Sequence, residues 1–168
     1  MKRLNRMGAI ATLLSLTILF TLGAAFADSG QGQKISARHA RIVGLWDVNV
    51  TVTRCDTGAT ITTFSALHKY ELGGTGQIVP YADNSGLSAH MMLWEHVEDN
   101  DYLMTVKMWR FDAAGNNIGW AILHNEVSIN DDANEYWGSG TAQFFDAAGN
   151  LLGGSCPTFV GTRFTGEP

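Results

Sequence analysis

The stretch Gly44–Cys55, GLWDVNVTVTRC, decides the fold of this chain. Its apolar and polar residues alternate, with Trp46, Val48, Val50 and Val52 set against Asp47, Asn49, Thr51 and Thr53. Because successive side chains of a strand point to opposite faces, this period of two predicts a β-strand with one buried face. The turn-forming residues that follow, Cys55-Asp56-Thr57-Gly58, end the strand.

The same alternation recurs downstream between clusters of Gly, Asn and Asp. It predicts seven further strands, over residues 64–72, 77–81, 87–97, 102–111, 117–129, 135–145 and 151–164. No stretch shows a helical period over three turns. Eight strands joined by short turns predict an all-β chain.

The hexapeptide FDAAGN occurs twice, at residues 111–116 and 145–150. Asp112 and Asp146 are 34 residues apart, which is room for two strands and two turns. In an up-and-down meander the two loops therefore lie at the same end of the sheet. One Asp is too few for a calcium loop, whereas Asp followed by Gly-Asn suits a hairpin turn. We predict two hairpins rather than a metal site.

The first 27 residues have the pattern of a secretory signal peptide. A basic start and an apolar run over residues 7–22 precede the small residues Ala25 and Ala27, with cleavage expected before Asp28. The run is shorter than the ~20 residues of a membrane span, so we expect no membrane anchor after cleavage. We predict a flexible leader over residues 28–42, a barrel domain over 43–168, and export to the bacterial periplasm or the medium.

Charge and missing motifs exclude several functions. Cleavage removes three of the 11 basic residues and none of the 16 acidic ones, which takes the net charge from −5 to −8. An acidic chain argues against nucleic acid and anionic membranes as partners. There is no G-x-S-x-G nucleophile motif and no phosphate-binding loop. Two cysteines do not suit a structural zinc site. We expect no cofactor and no metal.

The two cysteines test the topology. Cys55 follows the first strand and Cys156 lies early in the eighth, and in a meander both are at the FDAAGN end. In an oxidising compartment a disulfide between them is expected. An open sheet would not bring its first and last strands together. We therefore predict an eight-stranded antiparallel up-and-down barrel, closed by a disulfide between strands one and eight.

Gly44-Leu45-Trp46 resembles the G-x-W motif of lipocalins and related calycin barrels. That resemblance implies that Trp46 plugs the closed end and that Arg163, near the end of the last strand, packs across it. If Cys55 lies opposite Cys156, Trp46 falls opposite about Thr165, which places Arg163 nearby. The short first connection and the absence of a final helix depart from the family. The chain is also similar to uncharacterised exported bacterial proteins, and allene oxide cyclase-like barrels are a second choice.

Alternation from Trp46 predicts which residues face the lumen. Strand one contributes Trp46, Val48, Val50 and Val52; strand two Phe64, His68, Tyr70 and Leu72; strand five Tyr102, Met104, Val106, Met108 and Arg110; and strand seven Tyr136, Gly138, Gly140, Ala142 and Phe144. Strand four is ambiguous, with His90, Met92, Trp94 and His96 on one face. In strand six, the face carrying Trp120, Ile122, His124 and Glu126 could point either way. The small residues of strand seven are expected to leave room.

This lumen predicts an exported barrel that binds one small hydrophobic or aromatic molecule. The predicted ligand-binding residues are His68, Tyr70, His90, Met92, Trp94, Met104, Met108 and Arg110. An alternative is a cofactor-free cyclase or isomerase, with His68, His90, Tyr102 and Glu126 as candidate acid–base groups. A third possibility is an interaction protein that uses exposed Trp109, Trp137 and Leu67. Both a monomer and a homodimer fit.

Overall fold

The computed structural model describes residues 39–81 and 89–166, so the predicted signal peptide and residues 28–38 and 82–88 lie outside the described part. A short 3₁₀ helix, His39–Ile42, is followed by β1 (Gly44–Thr53), β2 (Thr60–Glu71), β3 (Thr75–Tyr81), β4 (His90–Glu98), β5 (Asp101–Phe111), β6 (Asn117–Ile129), β7 (Glu135–Phe145) and β8 (Leu151–Arg163). Each strand pairs antiparallel with the next, and β8 pairs with β1. The predicted closed eight-stranded barrel is confirmed. No helix of the described residues is long and apolar enough to cross a membrane.

A disulfide joins Cys55 to Cys156, as predicted, with their Cα atoms 5.1 Å apart. The register beside it differs from the expected one, because Thr53 rather than Cys55 lies opposite Cys156. Cys55 belongs to the turn after β1, in which Gly58 N donates to Arg54 O at 2.9 Å. The pairing of β1 with β8 is thus shifted by two residues from the expected register, and Trp46 lies opposite Arg163 instead of Thr165.

Both FDAAGN segments form the predicted hairpin turns. Asp112 Oδ1 accepts hydrogen bonds from the backbone N–H groups of Ala114 and Asn116, at 2.9 and 2.8 Å. Asp146 repeats the arrangement with the same two distances. The hydrogen bond from the Asn116 side chain is the main reason why the pKa of Asp112 is lowered. These carboxylates stabilise their own turns.

The predicted alternation holds along β1, β2, β4, β5 and β7, with one exception. Leu72 was expected in the lumen, but it follows the end of β2 and is 60% exposed. In β6 the structure decides the open question, because Ala121, Asn125, Val127 and Ile129 are the buried residues. The alternative face, with Trp120 and Glu126, therefore points outward.

One end of the barrel is closed by the predicted Trp46–Arg163 pair. The Arg163 guanidinium lies 4.2 Å from the centre of the Trp46 ring and donates to Val43 O at 2.9 Å. The Trp46 indole N–H donates to Ile42 O at 2.8 Å. Ile42 is fully buried. Residues 39–42, the last four of the predicted flexible leader, form the 3₁₀ helix instead. Their backbone accepts hydrogen bonds from Trp46 and Arg163.

Candidate functional site

The interior next to the plug is filled by aromatic side chains. Trp46 and Tyr136 pack edge to face with ring centres 4.9 Å apart, and Tyr70 and Trp94 do so at 6.0 Å. The Tyr70 hydroxyl donates to Met104 Sδ at 3.3 Å. Tyr70, Trp94 and Met104 were predicted to bind a ligand. The structure packs them against one another in the closed-end half.

The glycines of β7 do not leave the room expected of them. A methyl group at Gly138 would lie 2.4 Å from the Phe159 ring, and one at Gly140 would lie 2.4 Å from Asn125 Oδ1. Gly161 of β8 is covered in the same way by the Tyr136 ring. Side-chain and backbone atoms of neighbouring strands occupy the space beside Gly138 and Gly140, so the expectation of free volume there was wrong.

The opposite end of the interior is less tightly closed. At the end of the barrel that carries the FDAAGN turns, four inward side chains are only half-buried: Val52, Phe64, Arg110 and Phe144. Leu123, deeper along β6, is half-buried too. At the plug, by contrast, Trp46, Tyr102 and Tyr136 are at most 1% exposed. We call the half of the interior formed by these half-buried residues, together with Met108, Ala142 and Ser155, the mouth half.

Four buried polar atoms in the interior have no hydrogen-bond partner among the described residues: His68 Nε2, His90 Nε2, Asn125 Oδ1 and Arg110 Nη1. The residues His68, His90 and Asn125 are 2%, 4% and 4% exposed. A buried polar atom without a partner costs about 1–3 kcal/mol. The barrel therefore holds a set of inward polar atoms that the described protein groups do not satisfy.

The two inward histidines are neutral near pH 7. Burial lowers the pKa of His68 to about 3, with the nearby His90 as a second cause. Burial lowers the pKa of His90 to about 4. His68 Nδ1 shares a hydrogen bond of 2.6 Å with the Tyr136 hydroxyl, which leaves Nε2 as the free ring nitrogen. Neutral imidazoles can donate or accept a hydrogen bond, so they suit an uncharged part of a ligand.

The candidate acid–base residues are only partly brought together. His68 and His90 share the lumen and lie close enough to affect each other's charge. Tyr102 also points inward, but it lies at the plug against Trp94, with ring centres 5.9 Å apart. Glu126 is exposed on the outer face, so it cannot assist His90 in the lumen. The reason is the alternation of β6, which turns the neighbouring Asn125 inward.

Asn125 is the interior residue that the sequence interpretation missed. It lies opposite Met104 of β5 and Gly140 of β7. Its face of β6 also carries Val127 and Ile129, and this apolar pair was the signal that could have identified it. In the described part of the chain, no three His, Cys, Asp or Glu side chains are grouped so that they could hold a metal ion.

The outer face of the barrel carries apolar side chains at the expected positions. Trp109, Trp137 and Leu67 are all exposed, by 44%, 49% and 38%. An open depression of about 540 Å³ also crosses this face, lined in part by Glu95 and His124. Of the four residues with an unpartnered atom, Asn125 lines this depression, and His68, His90 and Arg110 do not. The inward polar set is therefore the stronger candidate site.

No family model matches this sequence, and no curated protein or solved structure matches it. Two structural features support the resemblance to lipocalins: the closed barrel and the contact between Trp46 and Arg163. The eight-stranded antiparallel barrel is compatible with such a family.

Proposed function

We propose that this protein binds one small apolar or aromatic molecule in the lumen of its barrel. The observation that carries the proposal is the set of buried, unpartnered atoms His68 Nε2, His90 Nε2 and Asn125 Oδ1. Proteins pair almost all of their buried polar atoms, so three exceptions that face one barrel interior call for an outside partner. A ligand with hydrogen-bonding groups would supply it.

The shape of the interior limits the size of this ligand. An eight-stranded barrel has room for little more than its own side chains or one small ligand. Here the closed-end half is already filled by the rings around Trp46 and Tyr70. The half-buried Phe64, Leu123 and Phe144 offer apolar contacts in the mouth half. We therefore expect a molecule of one or two rings, or of similar length, rather than a long lipid.

The setting supports a role outside the cytoplasm. The Cys55–Cys156 disulfide is typical of proteins that fold in an oxidising compartment. Together with the N-terminal signal-peptide pattern, it favours a carrier or receptor for a small molecule in the periplasm or medium. A lipocalin-like binding protein fits this role, with the FDAAGN turns beside the entrance.

The test is ligand capture by the mature chain, residues 28–168. We expect native mass spectrometry of protein from an exporting host, followed by a thermal-shift screen of one- and two-ring compounds, to find a ligand. His90→Leu should weaken its binding about five- to twelvefold, since a hydrogen bond to a buried group is worth about 1–1.5 kcal/mol. His124→Leu is the matched control, because His124 lies exposed on the outer face.

Two results would contradict the proposal. One is the absence of any bound or binding small molecule. The other is a ligand whose affinity falls equally in the His90→Leu and His124→Leu variants, because that would place the binding site outside the lumen.

A cyclase or isomerase is the second candidate, and the unpartnered Nε2 of His68 is the observation behind it. One nitrogen of the neutral ring is held by Tyr136, and the other, Nε2, has no partner among the described residues. When Nδ1 carries the ring proton and donates to the Tyr136 hydroxyl, Nε2 can accept a proton from a bound carbon acid, as a weak base because burial lowers the pKa of His68 to about 3. If the protein is such an enzyme, a bound ligand exchanges C–H for C–D in deuterated water, and His68→Gln slows the exchange at least a hundredfold. Exchange at an unchanged rate would exclude His68 as the base.

A further inference from the structure

We infer that Arg110 is an anion-binding group and that the ligand of this barrel is a small apolar or aromatic carboxylate with its acidic group at Arg110. This rests on the proposed binding function and specifies the chemical class of the ligand. The apolar body would lie among the half-buried side chains of the mouth half.

The position of Arg110 is the first argument. It lies on β5 two residues beyond Met108, on the same inward face, and pairs with Gly119 of β6. Its guanidinium lies 5.2 Å from the centre of the Phe144 ring. Nη1 is buried and has no hydrogen-bond partner among the described residues. A ring packed on a guanidinium leaves the N–H groups at its edge able to bind a planar carboxylate.

The lack of a described counterion is the second argument. The inward positions of the described strand residues include no Asp or Glu. Asp112 and Asp146, in the turns at this end, already accept hydrogen bonds within their own loops. Burying a charged nitrogen without a partner is costly, so Arg110 has most to gain from an anion that enters the lumen.

The charge of the surroundings selects the type of anion. His68 and His90 are neutral near pH 7. Apart from Arg163 at the plug, Arg110 is the one Arg or Lys on the inward faces of the described strands. A single cation matches a monoanion such as a carboxylate, which it can bind through two parallel N–H···O bonds. A dianionic phosphate would bring a second charge that no inward group of the described strands neutralises.

The test compares acids with their neutral amides of the same shape. The probes are benzoate, 3-phenylpropionate, indole-3-acetate and 1-naphthoate, each beside its primary amide, titrated calorimetrically into the mature protein. At least one acid should bind ten or more times tighter than its amide. Arg110→Met should abolish that preference while keeping the apolar stem, and Lys107→Met, on the outer face of the same strand, should preserve it.

The outcomes separate the two proposals. If amides bind as well as acids, or bind while acids do not, the carboxylate inference fails and the binding function stands. If no probe of either kind binds at millimolar concentration, the inference fails and the binding function loses its support from this class of molecule.

A ligand-free measurement gives an independent check. Without ligand, Arg110→Met should leave the thermal midpoint unchanged or raise it, because it removes the buried Nη1 that lacks a partner among the described residues. A clear fall in the midpoint, matched by Asp83→Asn in the segment 82–88, would show that Arg110 serves an ion pair within the protein. That result would overturn the inference.

Discussion

At the scale of single residues, the interior is defined by a few polar side chains in an apolar wall. His68 could be predicted, because Lys69 and Glu71 fixed the outer face of β2. Alternation along β4 grouped His90 with Met92 and Trp94 but did not decide which face points inward. Asn125 was missed because both faces of β6 carry large apolar residues. The glycines were misjudged for another reason: what covers Gly138 is the ring of Phe159 on the next strand, which depends on register and not on local sequence.

The buried histidines make stability depend on pH. The folded-state pKa is about 3 for His68 and about 4 for His90, whereas both titrate near 6.5 in the unfolded chain. Below pH 6.5 the unfolded state therefore binds more protons than the folded state, so the free energy of unfolding falls. Between pH 8 and pH 5 we expect a loss of roughly 4 kcal/mol in chemical denaturation.

The control separates these residues from the other histidines. In His68→Phe/His90→Phe most of the loss between pH 8 and pH 5 should disappear, whereas His124→Gln should keep it. A double variant with the same pH dependence as the wild type would show that other groups cause the loss.

At the scale of elements, the repeated FDAAGN loop shows how far a local pattern can be trusted. Its turn chemistry lies within six residues, so the hairpin, its end of the barrel and the roles of Asp112 and Asp146 were all predictable. The inward face of β6 was not, because it depends on packing across three strands. Local hydrogen bonding is encoded locally, whereas the choice of a face is decided by neighbours.

Removing either turn carboxylate should destabilise the barrel without affecting a metal. We expect Asp112→Ala and Asp146→Ala each to lower the free energy of unfolding by about 0.5–2 kcal/mol, as loss of a comparable side-chain cap does. Calcium or a chelator should not change the thermal midpoint of the wild type. A midpoint that rises with calcium, and no longer does so in either variant, would restore the metal-site interpretation.

At the scale of the whole molecule, closure of the barrel pairs the first strand with the last. β1 and β8 pair from Trp46 opposite Arg163 to Thr53 opposite Cys156, and the disulfide covers the far end of this seam. The sequence predicted this closure from two cysteines at one end. Which inward side chains are fully buried and which are half-buried could not be predicted, because this depends on the stagger of all eight strands.

Loss of the disulfide should cost stability but not the fold. The cysteines are 101 residues apart, and closing a loop of that length contributes up to about 4–5 kcal/mol in the chain-entropy model. Cys55→Ala/Cys156→Ala should therefore unfold at lower denaturant concentration and keep its β-type circular dichroism. Unchanged stability would show that the β1–β8 ladder alone determines closure.

The central claim is that a small molecule completes the inward polar set. A high-resolution crystal structure of the mature protein, grown with the tightest-binding compound from the screen, tests it most directly. We predict the molecule in the lumen, within hydrogen-bond distance of at least two of His68 Nε2, His90 Nε2 and Asn125 Oδ1. A structure in which these atoms bond to protein groups or water alone, with the compound bound outside the barrel, would contradict the account.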